Sequence, residues 1–126
     1  MPPSRVLSRG HRKLTVFHLA DALAMCIYRE TDHFPDCERY GLQSQLRRAA
    51  VSVPANIVEG SARRSDADYN DSSKIGLSSA GEVDYLIELS ERLSFLDREA
   101  LGRCKHCSVQ TVKALQKLIT VLRQRS

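Results

Sequence analysis

The chain of 126 residues, 42% apolar and 27% charged, has room for one domain with a real core and is too apolar to be disordered. Aromatics are only 6% and Trp is absent, so Leu, Ala, Val and Ile carry the apolar content, which suits helices better than a sandwich of aromatic and β-branched strands. The formal charge of +4 favours polyanions mildly without demanding one, and no run approaches the ~18 apolar residues of a membrane span.

Charge is spread unevenly. Residues 1–13 carry four bases and no acid, 14–65 six of each, 66–99 three bases and nine acids, and 103–126 six bases and no acid. The acidic and basic segments of the second half are expected to pair as helix flanks, within one bundle or between subunits. The first thirteen residues lack the apolar stretch of a secretory signal and read as a flexible basic arm ahead of a domain spanning 14–126. A cytoplasmic protein is expected, with Cys26, Cys37, Cys104 and Cys107 as reduced thiols.

Four helical segments follow. Thr15 is placed to cap a first helix whose stripe is Val16, Ala20, Leu23 and Ile27, ending near Asp32. A connection containing Pro35 and Gly41 leads to a second helix from about Leu42 to Glu59, with Leu46, Ala49, Val53 and Ile57 on its stripe and Gly60 placed to end it. Pro54 lies inside this stripe, which predicts a kink, with a break at Val53 as the alternative. Ser65 and Asp68 form a capping-box-like start for the third helix, whose first half is crowded with Ser72, Ser73, Gly76, Ser78, Ser79 and Gly81. Asp97 can cap the fourth, with Leu101, Cys104, Ser108, Leu115, Ile119 and Leu122 on one face. The expected fold is all-α, an up-down-up-down four-helix bundle.

Two helices also carry apolar residues away from their main stripe: Val51, Pro54 and Val58 on the second, and Tyr85, Leu89 and Leu96 along the third. Two such rows predict a homo-oligomeric contact, against scattered surface apolar residues as the plainer explanation.

Chemistry-bearing motifs are sparse. Cys104 and Cys107 form a C-x-x-C without the second ligand pair of a structural zinc site or the βαβ context of a redox motif, so core packing is expected of them, and neither metal nor cofactor. His11, His18, His33 and His106 are scattered, and there is no phosphate loop or nucleophile motif, so no enzymatic activity is expected. Basic residues remain: Arg47, Arg48, Arg63, Arg64 and Lys74, with Arg103, Lys113 and Lys117 in a row on the fourth helix. They suit the backbone of RNA or DNA; the plainer reading is a solvated face with intersubunit ion pairs to Glu59, Asp84, Glu88 or Glu91. No aromatic residue is interleaved with them in sequence, which predicts no stacking platform for a single strand.

The stretch from Glu38 through Arg39-Tyr40-Gly41 and Leu46-Arg47-Arg48-Ala49-Ala50-Val51-Ser52-Val53-Pro54-Ala55-Asn56-Ile57-Val58-Glu59-Gly60, followed by Arg63-Arg64-Ser65, closely resembles the signature of the bacterial four-helix-bundle family encoded in intervening sequences of 23S rRNA genes. The resemblance starts near Lys13, includes Phe34-Pro35 and weakens after Leu96. It implies a left-handed bundle assembling as a homopentamer, with no established enzymatic activity. The accessory variability determinants of diversity-generating retroelements are similar, and imply nucleic acid and a larger protein as partners. Asn56 and Glu59 match the pattern and are expected to make polar contacts within the bundle or at an interface. Ser72 and Ser73 depart from it, standing where bulky apolar residues are usual.

Overall fold

A computed structural model describes residues 11–125, with side chains from Thr15 onward. Four helices account for most of them: α1 (His11–Glu30), α2 (Leu42–Ser61), α3 (Asp66–Arg92) and α4 (Arg98–Arg125), with a short 3-10 turn at Asp36–Glu38 between the first two. No strand occurs among the described residues. Each helix packs on its neighbours in the order α1–α2–α3–α4–α1, and the diagonal pairs do not meet. Cross-helix bonds run antiparallel throughout: Arg47 to the carbonyl of Tyr28, Ser52 to Ser79, Ser108 to Asp84 and Thr111 to the carbonyl of Leu19. The up-down-up-down bundle expected from the sequence is therefore the fold.

The apolar stripes meet along the axis. Leu23, Ile27, Leu46, Val53, Ile57, Val83, Ile87, Leu115 and Leu122 are fully buried, and each large aliphatic side chain there contributes ~1.5–3 kcal/mol. Two of the three expected caps are present: Ser65 Oγ accepts from the Asp68 amide at 3.1 Å, and an Asp97 carboxylate oxygen accepts from the Ala100 amide at 2.8 Å. The oppositely charged segments of the second half do pair within the bundle, as Lys105 bonds Glu88 and Arg125 reaches Asp66 at 3.1 Å.

Other details differ from the periodicity reading. α1 begins at His11, so Thr15 lies inside it and the last three residues of the expected arm are helical; residues 1–10 of that arm lie outside the described residues. α2 runs unbroken through Pro54 and on to Ser61, so neither Val53 nor Gly60 ends it. Gly60 instead serves contact. A Cβ there would fall 2.7 Å from the Cβ of Ser72 and 2.9 Å from Cδ1 of Tyr69, so α2 and α3 approach closely where the third helix is built from small residues.

α3 ends in a Schellman turn without its usual glycine. Ser94 takes a left-handed φ of 65°, its amide bonds the Glu91 carbonyl, and the Phe95 amide bonds the Ser90 carbonyl at 2.8 Å. The turn folds Phe95 onto Phe34 and buries Leu96 in the core. Leu96 is therefore not on α3 and not available to an interface. Pro54 is likewise buried within the single chain and Leu89 is half-buried against its core, because flanks of the main stripe are covered when two neighbouring helices close on each helix. Of the six residues expected at an oligomer contact, Val51, Val58 and Tyr85 are exposed.

Candidate nucleic-acid interface

The basic residues singled out from the sequence do not form one surface. α2 and α4 are diagonal in the bundle, so Lys113 and Lys117 lie across from the arginines of α2; they line an apolar groove between α1 and α4 with Leu19 and Leu118. Arg63 and Arg64 follow the other end of α2, roughly 22 Å along its axis from Arg48 at ~1.5 Å per residue. Arg64 and Lys74 are exposed.

Several of these groups are engaged inside the chain. Arg103 grips Glu30 with two bonds of 2.7 and 3.0 Å, joining α4 to α1. Its guanidinium holds the Glu30 carboxyl below the usual carboxylate range. Arg63 bonds Glu59 one turn back at 2.7 Å, and Lys105 takes Glu88 and Asp84. Glu59, Asp84 and Glu88, expected to pair between subunits, are engaged within one chain instead, the last two by Lys105, which was not among the basic residues singled out. Asn56 also makes its expected internal contact, donating to the Ser52 carbonyl and hydroxyl while Ser52 meets Ser79 across α2 and α3.

Arg47 and Arg48, adjacent in sequence, have different surroundings. Arg47 caps the C-terminal end of α1: its Nε donates to Thr31 Oγ1 at 2.9 Å, one terminal nitrogen donates to the Tyr28 carbonyl at 3.1 Å, and the guanidinium lies 4.5 Å over the Tyr28 ring. Thr31 in turn donates to the Ile27 carbonyl, and Gln43 donates to the Thr31 carbonyl. This mesh ties the eleven-residue connection to both helices. Arg48 is exposed.

Between the end of α1 and the start of α2 the chain leaves a groove of about 540 Å³ lined by Tyr28, Arg39, Tyr40, Gln43, Ser44, Arg47, Arg48, Val51 and Ser52. Three arginines and two tyrosines face it, and no carboxylate does. Tyr40 is 90% exposed, the most open large hydrophobic side chain among the described residues. It stands on the ridge between this groove and a neighbouring one toward α3, which shares Tyr40 and Arg48 and is bounded by Glu82. Aromatic rings thus share a groove with the arginines. Tyr28 and Tyr40 were missed because they sit on different elements; the only local signal was Arg39-Tyr40-Gly41 ahead of the Arg47-Arg48 doublet.

Three of the four cysteines pack inward, and Cys37 is exposed on the connection between α1 and α2. Cys26 and Cys104 are buried with their sulfurs 3.7 Å apart between α1 and α4, and Cys107 is half-buried beside them. Burial, reinforced by Cys26, pushes the Cys104 thiol far up and raises Cys107 as well, which keeps both protonated and unreactive near neutral pH. Among the described residues no group of His, Cys, Asp or Glu is placed to hold a metal ion, and no helix is long and apolar enough to cross a membrane.

The fold and surface define a small helical-bundle protein with a basic, aromatic groove at one end. The family model of the 23S rRNA-intervening sequence protein matches residues 12–117, and the chain belongs to that family. A crystal structure of a protein with unknown function from the S23 ribosomal protein family of Bacteroides thetaiotaomicron has the same fold, with a TM-score of 0.80 at 24% identity over 87% of this chain and 99% of that one. No curated protein matches the chain.

Proposed function

We propose that this protein is a non-enzymatic, homo-oligomeric bundle that binds RNA or DNA through the groove at the α1–α2 end, as an adaptor acting in the cytoplasm. The observation that carries the reading is the groove's composition: Arg39, Arg47 and Arg48 with Tyr28 and Tyr40, and no acid. Arginine suits phosphate oxygens because its planar fork is always charged and donates in pairs. Val51, Ala55 and Val58 run exposed down the outer side of α2 at heptad spacing, with Ala62 just past its end, and support contact with another copy, pentameric as the family resemblance implies.

A scaffold without any nucleic-acid role is the second reading. It is favoured by the internal engagement of Arg47, Arg63, Arg103 and Arg125.

Fluorescence anisotropy with a structured RNA across a salt series, with light scattering on the same sample, tests the proposal. Affinity is expected to fall with salt by about 0.7–0.9 in log–log slope per phosphate contacted. Arg39→Gln with Arg48→Gln should flatten that slope at unchanged mass, because backbone contacts position without reading bases. Absence of binding at low salt supports the scaffold reading, and a monomeric mass at micromolar concentration removes the oligomer.

A further inference from the structure

We infer that the groove takes an unpaired segment of nucleic acid, with one base stacked on Tyr40 and the flanking phosphates held by Arg39 and Arg48. The inference rests on the nucleic-acid reading above and narrows it to single strands. Tyr40 immediately precedes the helix start at Gly41 and Leu42, on a connection tied down by the Arg47–Thr31 and Gln43–Thr31 bonds, so its backbone is anchored while its ring stands in solvent. A ring left 90% exposed gains little from the fold, yet it lines the groove together with Arg39 and Arg48.

Tyr28 differs: its ring is already covered by Arg47 at 4.5 Å, so it forms a fixed wall of the groove rather than a second open platform. The start of α2 does not serve as the anion site, since a Glu38 carboxylate oxygen already accepts from the Leu42 amide at 2.9 Å. The phosphates are left to Arg39 and Arg48.

Strandedness follows from geometry. In a duplex both faces of every internal base are stacked on neighbours, and a protruding ring meets only sugar and phosphate edges. An unpaired base exposes its face, every base has one, and stacking on it is tolerant of sequence. The site is therefore a non-specific single-strand contact, made of one stack and a small number of ion pairs.

The experiment measures binding of the full chain to three labelled probes of equal length: oligo(dT), the corresponding duplex, and an abasic strand that keeps the phosphates. Oligo(dT) is expected to bind tightest. Tyr40→Ala should weaken it about ten-fold and bring it level with the abasic strand, whereas Tyr40→Phe should retain the affinity. The chain has four Tyr and no Trp, so stacking is also visible as quenching of tyrosine emission by oligo(dT), which Tyr40→Phe should abolish while binding persists. If all three probes bind alike, and Tyr40→Ala binds oligo(dT) as the unaltered protein does while Arg48→Gln weakens it, the stacking inference is overturned and the nucleic-acid reading stands. If no probe binds at low salt, both fail.

Discussion

The two ends of α2 are built for different purposes. At its C-terminal end, Gly60 lets α3 come so close that Ser72 and Tyr69 occupy the space a side chain would need. At its N-terminal end Leu42 and Leu46 face the core, while the outer side borders a groove toward α1 faced by arginines and tyrosines. The contrast teaches where the fold can tolerate change. One end is determined by close packing; at the other, Leu42 and Leu46 pack inward and Arg47 and Thr31 tie the connection to α1, which leaves Arg39, Tyr40 and Arg48 free of structural duty.

The largest effect is expected at the closed end. Gly60→Ala should destabilise the protein by about 1–3 kcal/mol in urea unfolding, because overpacking outweighs the gain of up to ~1 kcal/mol in helix propensity. Adding Ser72→Gly should recover part of the loss by removing the Cβ it would strike. A neutral or stabilising Gly60→Ala would mean that the two helices are not held at this distance.

At the open end the neighbouring arginines should separate. Arg47→Ala removes two hydrogen bonds at the end of α1 and the cover of Tyr28, and should cost about 1–2 kcal/mol. Arg48→Ala should stay within ~0.5 kcal/mol in the same urea titration. Equal losses would contradict the division of labour drawn between them.

A third site gauges backbone strain away from α2. Ser94→Gly should stabilise the end of α3 by up to ~1 kcal/mol, read as a raised melting temperature, since the left-handed φ of 65° disfavours a Cβ.

These contrasts also mark what could be read before folding. Helix stripes, the Ser65 and Asp97 caps and the ring-like order of the bundle follow from local rules of period and capping, and they are present as expected. Projection on a helix fails where the chain is not helical: Leu96 lies past the turn at Ser94 and goes inward. It fails too on flanks such as Pro54, whose burial depends on how neighbouring helices close. Gly60 resembles a helix terminator in sequence, and only the position of Ser72 on another helix reveals its role. At the candidate site the charges were visible as doublets, yet which are spent depends on partners far away in sequence, as with Arg103 and Glu30. Tyr40 belongs to the groove only because the connection after α1 folds back over α2.

The smallest effect concerns that last pair, and it sets a spent arginine against the free Arg48. The Arg103 hydrogen bond, with smaller help from Arg29 and His33, lowers the Glu30 carboxyl from its ordinary value of about 4.5. A carboxyl lowered on folding contributes stability that is fully present above its unfolded value and is lost as pH falls through its folded one. Stability of the unaltered protein should therefore decline below about pH 5 in part through Glu30. Glu88, lowered in the same sense by its bond to Lys105, contributes a second share. Arg103→Gln should reduce stability at neutral pH slightly and flatten the decline across the carboxylate range, leaving the Glu88 share in place. Arg48→Gln should leave the whole profile unchanged. Both arginines are open to solvent, and screening keeps either effect small, so the slope with pH is the quantity to compare. A profile that flattens equally in both variants would show that the field of the whole surface, rather than the clasp between α1 and α4, sets the acid sensitivity.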